Sequence, residues 1–469
     1  MGELHPGDRL PTEAELCEQH RISRAPVRRA LTDLAREGYV YRRPGQGTFV
    51  AEALPHFPLH TPLQLLTYYD IRWFETMEQA VYQWNAHYPE QKVKLESTLC
   101  SRAEFHQVLQ RAVARGNAPD IVPLDCVWIT DYASAGYIAS LDSIDGAWVR
   151  EVSADLEPLV RQSNMVDGQL YGLPVQVDVT GLWYRRDWFA AEGLEPPATW
   201  EDWLQLIDYF ARPEVKGRLG HKYSVAFPLS TSVGEATVNN LLPFIWMAGA
   251  EAPVDGTLIR LDDPYVHQAL RFLQSITLER RAYLPPQMDT FRWWEFTSLL
   301  THGEVPMILG GTYEWPRIQE ETEWDSETMT HEHLGFAPPP RPTIEVSPAC
   351  SLGGTSWAIM SQSKNRELAL EILKLSASVE LSQNFCQMNM QISPYRAVNA
   401  RFAQPEHPWM LSLIPLLQWA HLRPAIRHYN HVSRFMQEMI EQVLWEGAPL
   451  EAFVQRTDQM LALLIADAA

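Results

Sequence analysis

The residues of the first fifty positions that could do chemistry are arginines. Seven of them fall between positions 21 and 43 against two acids, Asp33 and Glu37, so this segment has a local net charge of +5 in a chain whose formal net charge is −20. An acidic protein that concentrates guanidinium groups in one segment is suited to binding a polyanion such as DNA. For any single arginine, a solvated helix face is the alternative. The seven are Arg21, Arg24, Arg28, Arg29, Arg36, Arg42 and Arg43.

Two short helices must position most of these arginines. Thr12 and Glu15 have the spacing of a capping box, which predicts a helix from about Glu13 to His20. Ser23 is suited to cap a second helix, from Arg24 to about Glu37, whose apolar side chains share one face while the arginines occupy another. The pair predicts a helix-turn-helix.

A basic hairpin is predicted to follow the helices. After Gly38, residues 39–43 and 48–51 alternate like strands around the turn 44–47, in which two glycines permit positive φ. This arrangement fits B-DNA, because the major groove admits one helix and the hairpin tip can reach the neighbouring backbone or minor groove.

Three motifs in this segment resemble the GntR-type winged helix-turn-helix regulators: residues 7–13 (GDRLPTE), 22–28 (ISRAPVR) and 45–50 (GQGTFV). The resemblance implies that Arg24 and Arg28, at the start of the recognition helix, contact base edges and phosphate, and that the wing enters the minor groove. The DNA contacts expected on this basis are Arg9, Thr12, Ser23, Arg24, Ala25, Pro26, Arg28, Arg29, Arg43, Gly45, Gln46 and Gly47.

The segment departs from the GntR pattern in two places. Ala14 stands where many members have arginine, which removes a DNA contact and leaves the operator sequence open. Members also carry another helix of about twenty residues before the Gly-Glu-Leu that here follows Met1. A remnant of about fifty residues buries little core by itself, so we expect the true start to lie upstream, or the chain to be truncated.

Composition narrows the class of protein. A chain of 469 residues with 46% hydrophobic and 20% charged residues predicts a globular protein of two or three domains. No apolar run approaches the roughly 18 residues of a membrane span, and no signal peptide opens the chain. We therefore expect a cytoplasmic protein without a membrane partner. The five cysteines are odd in number and lack metal or redox spacing, so buried thiols are expected, and neither a metal nor a cofactor is predicted.

The charge reverses beyond the amino-terminal segment. Pro55, Pro58 and Pro62 indicate a linker over residues 53–62, which divides a DNA-binding domain (1–52) from the remainder (63–469). Beyond residue 50 there are 51 acidic and 30 basic side chains, a net charge of −21. A region with so negative a net charge is expected to bind something other than DNA. Its short apolar strands alternate with amphipathic helices, as in an α/β protein, and its length favours two lobes.

Aromatic residues beside carboxylates recur at predicted strand ends in this region. A flat ring next to an acid suits a sugar, whose C–H faces stack on the ring while its hydroxyls donate to the carboxylate. For any one of these residues, packing in the core or on the surface is the alternative, but their recurrence favours a cleft. The expected ligand contacts are Tyr69, Asp70, Trp73, Asp125, Trp128, Asp178, Trp183, Tyr184, Trp246, Tyr313, Trp315 and Trp357.

Five motifs of the large region are similar to those of the extracellular solute-binding proteins (family 1) of sugar ABC importers. They are residues 81–89 (VYQWNAHYP), 118–122 (APDIV), 170–174 (LYGLP), 182–187 (LWYRRD) and 196–203 (PPATWEDW), and they occur in the family's order. Where the family usually has Tyr-Asn-Lys, this chain has Tyr184-Arg185-Arg186. The missing secretion signal is the larger departure, and it favours a sensor over a transport receptor.

The second resemblance implies a two-lobed, type 2 periplasmic-binding-protein-like α/β fold with a ligand in the cleft. We expect residues 63–175 with 308–350 in one lobe and residues 180–305 with 355–469 in the other. Crossing segments are expected near residues 175–179, 308–312 and 353–357.

The two parts together predict a ligand-responsive transcriptional regulator, a homodimer that binds operator DNA and senses a small solute, most simply a sugar that lifts repression. Two alternatives stay open: a transport receptor with a mis-assigned amino terminus, and a regulator that senses a peptide, polyamine or metal complex. An enzyme acting on glycans is disfavoured, because no carboxylate pair and no nucleophile with a base stands out.

Overall fold

The computed structural model describes residues 5–20, 24–36, 39–43, 46–51, 60–68, 71–101, 104–250, 260–324 and 331–466. The chain divides into two compact units. An amino-terminal unit comprises residues 1–62 with 85–94, and a large unit comprises residues 63–84 with 95–469.

The amino-terminal unit contains the predicted helix-turn-helix and hairpin. Thr12 and Glu15 form the capping box, since the Thr12 amide donates to Oε2 of Glu15 at 2.7 Å and the Glu15 amide donates to Oγ1 of Thr12 at 3.3 Å. Val27 and Leu31 are buried along one face of the second helix. The elements are α1 (Glu13–His20), α2 (Arg24–Arg36), β1 (Val40–Arg43) and β2 (Gly47–Val50).

The hairpin has a third backbone partner that the sequence did not suggest. Strands β1 and β2 are antiparallel, with Val40 opposite Val50 and Arg43 opposite Gly47. Arg9 forms an antiparallel bridge with Phe49, and the Leu10 amide donates to the Thr48 carbonyl at 2.9 Å. The predicted cap Ser23, the helix end at Gly38 and the turn residues Pro44 and Gly45 lie outside the described residues.

The rest of the chain alternates strands and helices, as the apolar patterning predicts. The strands are β3 (Thr61–Tyr68), β4 (Val93–Cys100), β5 (Ile121–Asp125), β6 (Met165–Val166), β7 (Gln169–Leu170), β8 (Gly172–Pro174), β9 (Asp178–Arg185), β10 (Met307–Gly311), β11 (Leu334–Ala337), β12 (Cys350–Gly353), β13 (Thr355–Ile359) and β14 (Ala420–Leu422).

The helices of this part range from one turn to seventeen residues. They are α3 (Ile71–His87), α4 (Phe105–Ala114), α5 (Ile129–Ser134), α6 (Asp142–Asp155), α7 (Pro158–Ser163), α8 (Arg186–Glu192), α9 (Trp200–Phe210), α10 (Pro213–Leu219), α11 (Glu235–Ala248), α12 (Pro264–Thr277), α13 (Trp293–Thr301), α14 (Trp315–Glu321), α15 (Arg366–Ser376), α16 (Val379–Asn389), α17 (Arg396–Phe402), α18 (Pro408–Leu413), α19 (Tyr429–Ile440) and α20 (Leu450–Ala466). None of these described helices combines the length and apolar character needed to cross a bilayer.

Two five-stranded sheets form the cores of two lobes, and this confirms the predicted two-lobed α/β fold. The sheet of lobe one has the order β4-β3-β5-β13-β8, with β3 parallel to β5 and β13 antiparallel to both of its neighbours. The sheet of lobe two has the order β10-β9-β12-β14, and β11 also pairs with β9. All five residues of β5 are buried, as expected of a strand covered on both faces.

The strand pairings correct the predicted division between the lobes. Residues 308–350 are predicted to lie in lobe one, yet β10, β11 and β12 all pair with β9 of lobe two. Residues 355–469 are predicted to lie in lobe two, yet β13 lies between β5 and β8 of lobe one. The error has a physical cause, because the pairing of strands far apart in sequence depends on tertiary register.

The chain crosses between the lobes at two of the three predicted places. One crossing joins Pro174 to Asp178 and the next joins Gly353 to Thr355, while residues 308–312 stay in lobe two. The third crossing follows Phe402, because Arg396 bonds to Ala154 of lobe one while Trp409 stacks on Trp183 of lobe two. Gly354 has φ +146°, and a Cβ there would lie 2.4 Å from the backbone oxygen of Gln176. Only glycine lets these two crossing segments approach so closely.

Candidate ligand cavity and DNA-binding surface

A cavity in the large unit lies where the crossing segments, the end of β5 and the start of α11 meet. Its volume is about 230 Å³, and it opens to solvent. The carboxyl end of a strand and the amino terminus of a helix therefore face the same space, as is common for ligand sites in α/β folds. The lining residues are Arg72, Trp73, Asp125, Gln176, Asp178, Val233, Glu235, Ala236, Asn239, Trp293, Tyr313, Gly353, Gly354, Thr355 and Arg423.

A buried ion-pair cluster forms one wall of the cavity. Arg423 is 4% exposed and donates from Nη2 to Oδ1 of Asp125 at 2.8 Å and from Nη1 to Oε1 of Glu235 at 2.9 Å. Burial disfavours its charged form, but the carboxylates of Asp125 and Glu235 hold the pKa of Arg423 well above its usual value. Arg423 therefore stays charged and is committed to two acids.

Glu235 is the first residue of α11 and is held from several directions. Tyr429 donates its hydroxyl to Oε1 of Glu235 at 2.6 Å, and Ser433 donates to Oε2. The start of a helix also favours an anionic side chain. Glu235 is thus fixed within lobe two by α19 as well as by Arg423.

Asp178 forms a second polar wall. Gln176 donates from Nε2 to Oδ2 of Asp178 at 3.0 Å, and Thr312 donates from Oγ1 to Oδ1 at 3.3 Å. Burial raises the pKa of Asp178 to about 6, although the hydrogen bond from Gln176 opposes that shift. The indole of Trp73 donates to Oε1 of Gln176 at 3.0 Å, so a ring and an acid are linked through one amide.

Three aromatic rings complete the lining. Trp73 is buried, Tyr313 is hydrogen-bonded through its hydroxyl to Nδ2 of Asn240 at 3.3 Å, and Trp293 is 37% exposed at the first position of α13. Rings that present faces beside carboxylates and amides can stack against a polyhydroxylated ring and hydrogen-bond to its hydroxyls.

The structure brings four of the twelve sequence-predicted ligand residues to the cavity: Trp73, Asp125, Asp178 and Tyr313. Tyr69 and Asp70 lie outside the described residues. Six others require correction, because they pack elsewhere and are not part of the cavity lining. These are Trp128, Trp183, Tyr184, Trp246, Trp315 and Trp357.

Three of the six belong to the core of lobe two. Trp183 stacks on Trp409 with ring centroids 5.2 Å apart and donates its indole N–H to the Gly311 carbonyl. Trp315 lies 5.0 Å from the same Trp409 ring, and Tyr184 packs on Phe189. Their proximity to predicted strand ends suggested a cleft, but Trp183 and Tyr184 lie inside β9, and all three rings pack within the lobe.

The other three are also explained by local packing. Trp128 lies against His106 in lobe one at 4.2 Å, Trp357 is 1% exposed in the middle of β13, and half-buried Trp246 packs on His421 at 5.0 Å. A large aromatic ring contributes most to the stability of the fold when it is buried in such a close-packed environment.

Sequence reasoning missed several lining residues, of which Arg423 and Trp293 are the most informative. Arg423 is the single Asp, Glu, Lys or Arg residue between Glu406 and Arg427, an isolated charge in an apolar stretch that could have indicated a buried partner. Trp293 lies in Arg-Trp-Trp-Glu, where the ring-beside-acid criterion applied equally well. Gln176, Glu235 and Asn239 carry no comparable signal.

The predicted DNA-binding residues can be placed in part. Arg24 and Arg28 are exposed on α2, and Arg28 makes a weak ion pair with Glu13 at 3.5 Å. Ser23 and Gly45 lie outside the described residues. Ala25, Pro26 and Arg29 also lie on α2.

The wing presents further basic side chains. The Arg43 guanidinium lies 5.2 Å from the centroid of Tyr41 and 5.3 Å from that of Phe49. Gly47 has φ +119°, and a Cβ there would lie 2.8 Å from Nε of Arg9. Exposed Arg9 therefore packs against the wing, and Gln46 and Gly47 are also exposed. Thr12 uses its hydroxyl in the capping box of α1. Contact of these residues with DNA stays a prediction.

Comparisons with known proteins agree with both halves of this description. Residues 71–380 match the family described as bacterial extracellular solute-binding protein, and residues 1–50 match the bacterial regulatory proteins of the gntR family. The lactose-binding protein of Rhizobium radiobacter is 25% identical over 63% of this chain and 66% of its own length. The chain thus spans slightly less than two thirds of that relative.

Two further similarities cover the separate parts. The transcriptional repressor NagR of Bacillus subtilis is 53% identical over 51 residues, which are 11% of this chain and 21% of the repressor. The solved structure of maltose-bound MalE3 of T. maritima covers 86% of this chain and 99% of its own, with a TM-score of 0.71 and 20% identity, a likeness of fold. The chain therefore belongs to the bacterial extracellular solute-binding protein family and carries a GntR-type helix-turn-helix domain at its amino terminus.

Proposed function

We propose that this protein is a transcriptional regulator that binds operator DNA through its winged helix-turn-helix and senses a saccharide in the cavity of its large unit. The observation that carries the proposal is the lining of that cavity. Trp73, Trp293 and Tyr313 supply rings, while Asp178 and Gln176 supply hydrogen-bonding groups beside them.

Two arginines, Arg72 and Arg423, and three acidic residues, Asp125, Asp178 and Glu235, line the cavity, and such a near-balanced set favours a neutral polar ligand. Arg423 is paired with two carboxylates, so it is committed within the protein and does not recruit an anionic solute. Asp178 accepts hydrogen bonds from Gln176 and Thr312, and a sugar hydroxyl is a third donor of the same kind. Relatives named for lactose or solved with maltose support the same ligand class.

The amino-terminal unit supports the DNA-binding half of the proposal. Exposed Arg24 and Arg28 occupy the first two turns of α2, and Arg43 lies on the wing. We expect a cytoplasmic homodimer, because helix-turn-helix proteins commonly read two half-sites about one DNA turn apart. Ligand binding would change the separation or mobility of the two DNA-binding units, a coupling of about 1–3 kcal/mol in typical allosteric proteins.

The test uses the full chain. Calorimetric titration with mono- and oligosaccharides, lactose and maltose included, measures ligand affinity, and fluorescence anisotropy with the gene's own upstream fragment measures DNA affinity with and without the sugar. Sedimentation velocity measures whether the mass is that of two chains.

Matched variants separate the two halves. We expect Trp293→Ala to lose sugar affinity and keep DNA affinity, and Arg24→Ala to do the reverse. Tyr82→Ala removes a ring that is 77% exposed on α3 and should change neither.

The two alternatives give different outcomes. A transport receptor would bind a saccharide but no upstream DNA at modest salt. A regulator of another ligand class would bind DNA and respond to a peptide, a polyamine or a metal complex, but to no sugar.

A further inference from the structure

Arg423 joins the two lobes as well as lining the cavity. It follows β14 of lobe two, and its guanidinium reaches Asp125 at the end of β5 in lobe one. Its other partner, Glu235, belongs to α11 of lobe two. The same guanidinium is therefore bonded once across the cleft and once within its own lobe.

A second bond crosses the cleft a few residues farther along the chain. The backbone N–H of His428 donates to Oδ1 of Asp131 on α5 of lobe one at 2.8 Å. His428 has φ +60°, a conformation that non-glycine residues adopt at a cost and keep when surrounding contacts fix it. The segment 423–428 is thus attached to lobe one at both of its ends.

The two partners of Arg423 differ in what happens when the lobes separate. Opening breaks the bond to Asp125, whose carboxylate then gains water. Glu235 moves with Arg423, because Tyr429 and Ser433 of the same lobe hold it. A buried cation stripped of all partners would be very costly. Because Glu235 remains, the cleft contact can be made and broken without that cost.

We propose that Arg423 is an interlobe clasp: its bond to Asp125 favours the closed form of the large unit, and Glu235 retains the guanidinium when the form is open. The balance of closed and open forms before ligand arrives is then set by this pair. A ligand that binds the closed form gains or loses apparent affinity with the closed population. That consequence for sensing rests on the proposed function, whereas the clasp itself does not.

The experiment measures the separation of the lobes in the full chain without ligand or DNA. Spin labels are placed at Glu151→Cys on α6 of lobe one and Gln205→Cys on α9 of lobe two, both exposed positions, in a Cys17→Ser background. The other four cysteines are buried. Pulsed electron–electron double resonance gives the distribution of distances between the two labels.

Asp125→Asn is the decisive variant, because Arg423 retains its buried ion pair with Glu235. We expect its distribution to shift toward longer distances, with the closed population reduced relative to the open one by about tenfold, within the range of typical conformational couplings. Arg423→Met should shift the distribution in the same direction, and the double variant should add little, since both single substitutions break the same ion pair across the cleft.

Arg218→Met is the control, because it removes an exposed ion pair with Glu192 that lies within lobe two. It should leave the distances unchanged. Folded Asp125→Asn protein with the wild-type distribution would overturn the clasp, as would shifts that add in the double variant. Failure of DNA or sugar binding would instead count against the proposed function and leave the clasp standing.

Discussion

Asp178 is expected to lower the stability of the folded protein at neutral pH. The residue is 7% exposed, and burial raises the pKa of its carboxyl from 3.8 to about 6. The folded state therefore binds this proton more tightly than the unfolded chain does. The cost is small below about pH 4, grows between about pH 4 and pH 6, and is complete above about pH 7. A shift of this size corresponds to about 3 kcal/mol.

Asp178→Asn removes the titration while keeping the shape of the side chain. The amide can accept from only one of Gln176 and Thr312, so one hydrogen bond worth about 1 kcal/mol is lost. We expect the variant to be more stable than wild type by about 2 kcal/mol at pH 8 and less stable by about 1 kcal/mol near pH 4.

Urea unfolding followed by tryptophan fluorescence at pH 4, 6 and 8 checks this reversal of sign. Glu151→Gln, at an exposed position on α6, is the matched control and should show no such reversal. A stability difference between Asp178→Asn and wild type that stays constant across the three pH values would refute the reasoning. If Asp178 contacts the ligand as proposed, the stabilised variant should also bind saccharide less tightly, a trade common at functional sites.

Three further predictions concern other parts of the chain. Burial raises the pKa of Glu314 from 4.5 to about 8, so wild type should lose stability progressively between about pH 5 and pH 8, while Glu314→Gln, which can still accept from Thr297, should not; urea unfolding midpoints across that range measure this. Gly354→Ala should cost about 2 kcal/mol or more in unfolding free energy, because a Cβ would clash with the Gln176 carbonyl, and an unchanged urea midpoint would contradict it. Arg24→Ala should weaken operator binding by about 1–3 kcal/mol in gel-shift titrations and leave ligand affinity alone; unchanged shifts would count against α2 as the recognition helix.

The amino-terminal unit was predictable because its signals are local. The Thr12–Glu15 capping box, the spacing of Val27 and Leu31, and the excess of arginine each act over a few residues, and all describe one small structure. The third backbone partner of the hairpin, at Arg9, was not foreseen, since it depends on how the chain before α1 folds back on β2.

The large unit was predictable in class and only partly in its site. Alternating strands and helices, and motifs in a known order, sufficed for two α/β lobes. The aromatic residues at strand ends could not be divided between core and cavity, because that depends on which helix covers each strand end. Trp183 and Tyr313 have similar sequence surroundings, yet one packs on Trp409 and the other lines the cavity.

By itself, the sequence determined that a cationic helix-turn-helix precedes an acidic, two-lobed α/β region, because charge, capping and apolar period are properties of neighbouring residues. Only the tertiary structure decided which strands belong to which lobe and which side chains meet in the cleft. Arg423 and Asp125 are separated by 298 positions and are 2.8 Å apart. Such a contact exists because two crossing segments bring the lobes together, and no local pattern encodes it.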